Sequence, residues 1–184
     1  MENQPIAIRP LRAQDIHDVY QLHKALLPLS YPPAFFRQCI LHPQKQLCLV
    51  VESPSTTPKI VAFLTASVQQ APQSPVRELH ILTLGVASTH RRQGLATELI
   101  RAAILLLQKN LACADTPSHI KLVAHAAVSN AHARAFFRKT MVHELEEERV
   151  EGLYRKSGMM LASKDAYRFT SYAPLGMDLC VGAL

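Results

Sequence analysis

No stretch of this chain approaches the roughly 18 consecutive apolar residues that a membrane-spanning helix requires. Its start, Met1-Glu2-Asn3-Gln4-Pro5, lacks the basic segment and apolar core of a secretory signal, so a soluble, cytoplasmic protein that does not contact membranes is expected. The four cysteines, Cys39, Cys48, Cys113 and Cys180, contain no C-x-x-C pair. That spacing indicates neither a zinc site nor a disulfide framework, leaving reduced thiols that belong mostly in the core and no expected metal. There is no G-x-x-x-x-G-K-[ST], and only one glycine stands where a dinucleotide loop needs G-x-G-x-x-G. The net charge of +6 suits an anionic cofactor or an RNA-rich surface, but the basic residues are dispersed except around Arg91 and Arg138. Without the motif of a nucleic-acid module, direct sequence-specific nucleic-acid binding is not expected.

What is present fits one domain: 184 residues, 48% of them apolar, with no internal repeat and no linker. The expected domain covers residues 1–175, followed by a tail at 176–184 for which disorder is the open alternative. Ile6 to Leu11 alternates as a strand does. Asp15 then stands where a helix cap belongs, ahead of Ile16, Val19, Tyr20, Leu22 and Leu26 at helical spacing. Three prolines between Leu27 and Pro33 demand a stiff extended loop, with Leu29 and Tyr31 pointing outward, before a short helix over Ala34 to Leu41. Strands are expected over Gln46 to Glu52, Lys59 to Gln70 and Val76 to Val86. A helix from Leu95 places Leu99, Ala103, Leu106 and Leu107 on one face. A buried strand over Ile120 to His125, a helix capped by Ser129 or Asn130, and extended segments near Val142 to Arg149 and Lys164 to Ser171 complete the order βααβββαβαββ.

Between the expected strand ending at Val86 and the expected helix from Leu95 lies Thr89-His90-Arg91-Arg92-Gln93-Gly94-Leu95-Ala96-Thr97. A small basic turn that opens a helix gathers backbone N–H groups at the positive end of the helix dipole, and Gly94 and Ala96 leave little to block a close approach. A pyrophosphate suits such a place. Arg91-x-x-Gly94-x-Ala96 resembles the R/Q-x-x-G-x-G/A turn of the GCN5-related N-acetyltransferase (GNAT) superfamily. Leu27-Pro28-Leu29-Ser30-Tyr31 resembles a P-V-S-Y loop, and Leu79-His80-Ile81-Leu82-Thr83-Leu84-Gly85 resembles an L-Y-I-M-T-L-G strand. His125 to Asn130 followed by Ala135-Phe136-Phe137-Arg138-Lys139 resembles H-V-x-x-S-N…F-Y-R-K. All three belong to the San-type NatE catalytic subunits, the protein N-terminal acetyltransferases that these motifs match best. The likeness runs from Ile6 to Val142 and then fades to Ala166-Tyr167-Arg168 against a Y-Y-K hairpin.

The resemblance implies an α/β GNAT fold, a mixed central sheet of about seven strands flanked by about four helices, and acetyl transfer from acetyl-CoA to an N-terminal α-amine. An α-ammonium has a pKa near 8, so a proton must be removed. His125 is a base or a satisfied structural histidine on its residues alone; the resemblance makes it catalytic. His80 replaces the family's tyrosine, and either joins His125 or is a buried spacer. Phe137 replaces a tyrosine that in many members protonates the departing sulfur, and phenylalanine has no proton to give, unless Tyr154 or Tyr167 reaches in. Thr140-Met141-Val142 departs from the family's F-G-F.

For the cofactor, the resemblance implies backbone amides around Leu84, Gly85 and Val86, the turn Arg91, Arg92, Gln93, Gly94, Leu95, Ala96 and Thr97, and Asn130, Phe137, Arg138 and Lys139. Arg138 and Lys139 meet coenzyme phosphates or face solvent. Leu27, Pro28, Leu29, Tyr31, Leu82 and Tyr167 would line a slot for a nascent polypeptide N-terminus, Met followed by an apolar residue. The implied partners are the NatA auxiliary scaffold and, through it, the ribosome. Two other readings are a weakly active or inactive subunit that works by binding that scaffold, and an enzyme for a small amine or lysine side chain.

Overall fold

The computed structural model of the protein describes residues 7–28, 31–53, 59–70, 76–109, 119–155 and 164–174. Its elements are β1 (Ala7–Pro10), α1 (Ile16–Leu26), α2 (Pro33–Leu41), β2 (Gln46–Glu52), β3 (Ile60–Gln70), β4 (Arg77–Val86), α3 (Leu95–Lys109), β5 (His119–Ala127), α4 (Ala131–Thr140), β6 (Glu146–Val150) and β7 (Ala166–Pro174). The order is the expected βααβββαβαββ, and the sheet is mixed and seven-stranded, ordered β1-β2-β3-β4-β5-β7-β6. Four helices and seven strands match the α/β class inferred from the sequence. Cys113, Cys180, Leu29 and the 176–184 tail lie outside the described residues.

The chain forms two compact units, Met1–Ser67 with Leu82–Ala103 and Val68–Ile81 with Ile104–Leu184, so β4 contributes to both. In the first, β1, β2 and β3 form an antiparallel meander. Strands β2 and β3 are continuous apolar runs, Leu47 to Val51 and Ile60 to Leu64, all buried, as a strand covered on both faces requires. Val19, Phe36, Cys39, Cys48 and Phe63 form the cluster beneath α1 and α2, with Ile16, Tyr20, Leu22 and Leu26 packed around it. Helix α2 starts one residue earlier than expected, at Pro33, because proline suits the first helical position.

Asp15 does not cap α1 with its side chain. Its carboxylate instead accepts from Arg9 Nη1 at 2.6 Å, Arg9 Nη2 at 3.0 Å and the Arg12 N–H at 2.8 Å. Burial alone would raise this carboxyl; those charge-assisted bonds outweigh it and hold Asp15 below the usual range. A half-buried guanidinium nearby is a stronger donor than a helix amide, which is why the cap was lost. Tyr31 is also not outward. Its ring stacks on Phe35 with centroids 4.2 Å apart and meets the edge of His23 at 5.6 Å.

In the second unit, β5 pairs in parallel with β4 over Ile120–Ala124 against Arg77–Ile81, and antiparallel with β7 along its whole length. Helix α4 lays Phe137 on Phe169, ring centroids 5.5 Å apart. The segment expected from Val142 becomes a strand only at Glu146, after Met141 is buried and Glu144 adopts φ 49°. β6 carries exposed glutamates held by arginines: Glu147 to Arg138, Glu148 to Arg168. No described helix is long and apolar enough to cross a membrane.

His23, on α1, is 1% exposed amid Phe63, Phe36 and Tyr31, and neither ring nitrogen has a hydrogen-bond partner among the described residues. Burial pushes its imidazole down to about 4. The unfolded chain takes up this proton below its ordinary value near 6.5 while the native state refuses it, so stability falls as pH drops through that window. Between pH 7 and pH 5 the loss should be roughly 2 kcal/mol. His23→Phe removes both unpartnered nitrogens, and urea melts should show that loss disappear; the same pH dependence in both proteins would refute the account.

Candidate active site

Strand β4 alternates. Leu79, Ile81, Thr83 and Gly85 are buried, whereas Glu78, His80 and Leu84 are half-buried and Leu82 is 37% exposed. Period-two geometry therefore puts Glu78 and His80 on one face. Glu78 Oε2 is 2.7 Å from His80 Nε2, and Glu78 Oε1 accepts from Lys121 Nζ at 3.1 Å. His80, left open by the sequence between proton chemistry and a backbone-bonded spacer, is thus tied to a carboxylate. Glu78 is a residue sequence reasoning missed, although the E-x-H spacing on a strand was a readable signal.

His125 lies one residue past the end of the β4–β5 ladder, and β7 sets Arg168 opposite it. Its side chain is half-buried. Burial, then the positive charge of Arg168, then that of His80, lower its proton affinity below the ordinary histidine value. His125 is therefore neutral at pH 7, the form a base requires. Tyr167, beside Arg168 on β7, lies under the Arg134 guanidinium at 4.2 Å from the ring centroid. Tyr154 is described, its N–H bonded to the Lys164 carbonyl at 2.9 Å.

Asn130 caps α4, its Oδ1 accepting from the Ala133 N–H at 3.0 Å, as the sequence indicated. Phe137 is buried between Phe136 and Phe169. Arg138 makes two 2.7 Å bonds to the Glu147 carboxylate, an exposed bidentate pair, while Lys139 is exposed.

In the first unit, Leu27 is half-buried against the core, its N–H ending α1 on the His23 carbonyl at 3.0 Å, and Pro28 is exposed. Gly85 answers to packing: a Cβ there would sit 2.7 Å from Phe63 Cζ. After Val86, whose carbonyl accepts from Arg91 Nε at 3.2 Å, a 3-10 turn at Ser88–His90 leads into the basic turn. Arg92 has φ 64° and Gly94 φ +77°, both left-handed. Arg91, Arg92, Gln93 and Gly94 are exposed, Leu95 is buried, and Ala96 and Thr97 are half-buried. The first helical bond of α3 joins Glu98 N–H to Gly94 O at 3.1 Å, so the amides of Leu95, Ala96 and Thr97 precede it at the positive end of the helix. A Cβ on Gly94 would meet nothing within 4 Å. Open space, helix amides and two exposed arginines together fit a diphosphate. No group of three potential metal ligands occurs among the described residues.

The acetyltransferase (GNAT) family profile matches residues 16–141, and the chain belongs to that family. It is similar to a histone acetyltransferase, MCC1, of Arabidopsis thaliana, 25% identical over 149 residues that cover 72% of this chain and 60% of that protein. The match thus spans less than two thirds of that relative's length. It is also similar to an N-alpha-acetyltransferase of Saccharolobus solfataricus, 22% identical over 138 residues, covering 73% of this chain and 81% of that one. Among solved structures, Arabidopsis thaliana NAA60 in complex with a bisubstrate analogue shares the fold, with TM-score 0.71, 22% identity, and coverage of 91% of this chain and 98% of that one. NAA60 in complex with acetyl-CoA gives 0.70, 19% and the same coverages.

The two glycines separate packing from binding. Gly85→Ala should destabilise the protein by roughly 1–3 kcal/mol through overpacking against Phe63. Gly94→Glu should cost about 1 kcal/mol of backbone strain yet abolish acetyl-CoA binding in calorimetry, by placing an anion in the open space. Unchanged affinity in Gly94→Glu would remove the turn from the site.

Proposed function

We propose that this member of the GNAT family is a protein N-alpha-acetyltransferase of NatE type, a single catalytic domain over residues 1–175. The observation that carries the reading is the turn Arg91 to Thr97, where left-handed Arg92 and Gly94 open α3 beneath unobstructed space. There Arg91, Arg92 and the amides of Leu95, Ala96 and Thr97 would hold the diphosphate of acetyl-CoA, which supplies an activated acetyl thioester when bound. Asn130, exposed at the start of α4, remains available to the cofactor while capping the helix. Arg138 would have to leave Glu147 to reach a phosphate, a small cost for an exposed and solvent-screened pair.

His125 acts as principal base and His80 as its partner, removing the proton that the substrate α-ammonium carries near its pKa of about 8. Leu82, exposed on β4, with Leu27, Pro28, Tyr31 and Tyr167, would favour an N-terminal Met followed by an apolar residue. The NatA auxiliary scaffold and the ribosome are the partners, in the cytoplasm. A second reading, a feebly active subunit that works by binding the scaffold, draws on Phe137: its ring packs on Phe169 and offers no proton to a leaving sulfur.

Acetyl-CoA and peptides with free N-termini beginning Met-Leu, Ser or Met-Asp, together with one blocked peptide carrying an internal lysine, separate these readings. Met-Leu should be acetylated fastest; transfer only to lysine would favour a histone-type enzyme, and no transfer the scaffold subunit. In an active preparation His125→Ala should lower kcat by on the order of 10²-fold or more. Because burial, Arg168 and His80 depress His125, the acid limb of kcat/KM should lie below that of an ordinary histidine, the rate falling with pH as the base becomes protonated. A rate indifferent to His125→Ala would remove it from the chemistry.

A further inference from the structure

Glu78 is gripped at both oxygens. Lys121, its register partner on β5, donates to Oε1 at 3.1 Å, and His80, on the same face of β4, stands 2.7 Å from Oε2. The bond to His80 and the bond and charge of Lys121 keep Glu78 below the usual carboxylate range despite partial burial. An ionised carboxylate only accepts hydrogen bonds, so the nitrogen facing it, Nε2, must carry the hydrogen. Neutral His80 then has its lone pair on Nδ1. The lysine matters to this assignment because it fixes the carboxylate's own orientation from the neighbouring strand.

We propose that Glu78 is a positioning residue: by accepting from His80 Nε2–H it fixes the tautomer and the ring plane, and it leaves Nδ1 as the nitrogen open to a proton. The inference rests on the acetyltransferase reading above and deepens it by assigning work to a residue outside the recognised motifs. A proton that His125 takes from the substrate α-ammonium and passes on to His80 Nδ1 makes an imidazolium whose positive charge lies against the Glu78 carboxylate and leaves His125 neutral again; when the proton returns to water, the Nε2–H bond to Glu78 is unchanged. No other reactant is needed. Carboxylate-oriented imidazoles are held in one tautomer by the same arrangement wherever a histidine must accept at a chosen nitrogen.

The test has one arm that needs no substrate. Long-range nitrogen–proton NMR of the wild-type protein should show His80 as a single tautomer with an exchange-protected Nε2–H, and Glu78→Ala should remove that protection. In peptide acetylation, Glu78→Ala and Glu78→Gln should lower kcat by about 10-fold or more with KM within 2-fold, and melting temperature should show that both variants are folded. A wild-type His80 carrying its hydrogen on Nδ1, or a kcat within 2-fold of wild type in both variants, would overturn the proposal. Should the protein acetylate no peptide, the functional reading fails while the NMR arm still decides: a protected Nε2–H lost in Glu78→Ala sustains the positioning, and its absence in wild type overturns it.

Discussion

Alternation along β4 is the constraint from which the rest follows. The strand buries Leu79, Ile81, Thr83 and Gly85 and turns Glu78, His80, Leu82 and Leu84 the other way. A one-residue slip would bury a carboxylate and an imidazole and expose two large aliphatic side chains, so the hydrophobic face enforces the register of the chemical one. Each half of the strand carries its own polar lock. Thr83 bonds the Thr65 hydroxyl at 2.6 Å in the first unit, and Glu78 bonds Lys121 in the second. Neither lock is large in energy, but both are satisfied only in the observed register.

The stretch from the end of β4 into α3 uses glycine twice for opposite reasons. Gly85 is buried where any Cβ would strike Phe63, so its smallness serves packing and its backbone is ordinary extended strand. Gly94 has room for a side chain but a left-handed backbone, and Arg92 shares that conformation two residues earlier. Arg92 accepts strain of order 1 kcal/mol that a glycine would not carry. The result is a chain that reverses sharply after the 3-10 turn and presents the first amides of α3 alongside exposed cationic side chains. Amides fixed in this way would need no reorganisation to receive an anion.

Much of this was legible in the residues. Element order followed from periodicity and from proline and glycine punctuation, and Asn130 was found as a cap because its local hydrogen bond needs no tertiary partner. The misses share one cause: each depends on a neighbour that another element supplies. Asp15 looked like a cap until Glu52 and Asp15 were seen to share Arg9, with Arg9 Nε donating to Glu52 at 2.7 Å. Tyr31 looked outward until α2 supplied Phe35 as a stacking surface. His23 read as one more position on an amphipathic helix, and nothing local announced that Phe36 and Phe63 would enclose it. Arg138, whose sequence left phosphate and solvent equally open, is bound by Glu147 from a strand that the sequence placed four residues too early. Glu78 is the instructive case, since only its spacing from His80 was local while Lys121 comes from β5.

The two candidate histidines sit in opposite electrostatic surroundings. His125 is half-buried and faces Arg168, so a proton arriving there is repelled and leaves readily. His80 faces the Glu78 carboxylate, so positive charge arriving there meets a fixed counter-charge. A tyrosine at position 80, the residue that the resembled enzymes carry there, could offer a hydroxyl but would have no use for Glu78 as an acceptor for a ring N–H. The imidazole at position 80 and the carboxylate two residues upstream each satisfy the hydrogen-bonding demand that the other creates.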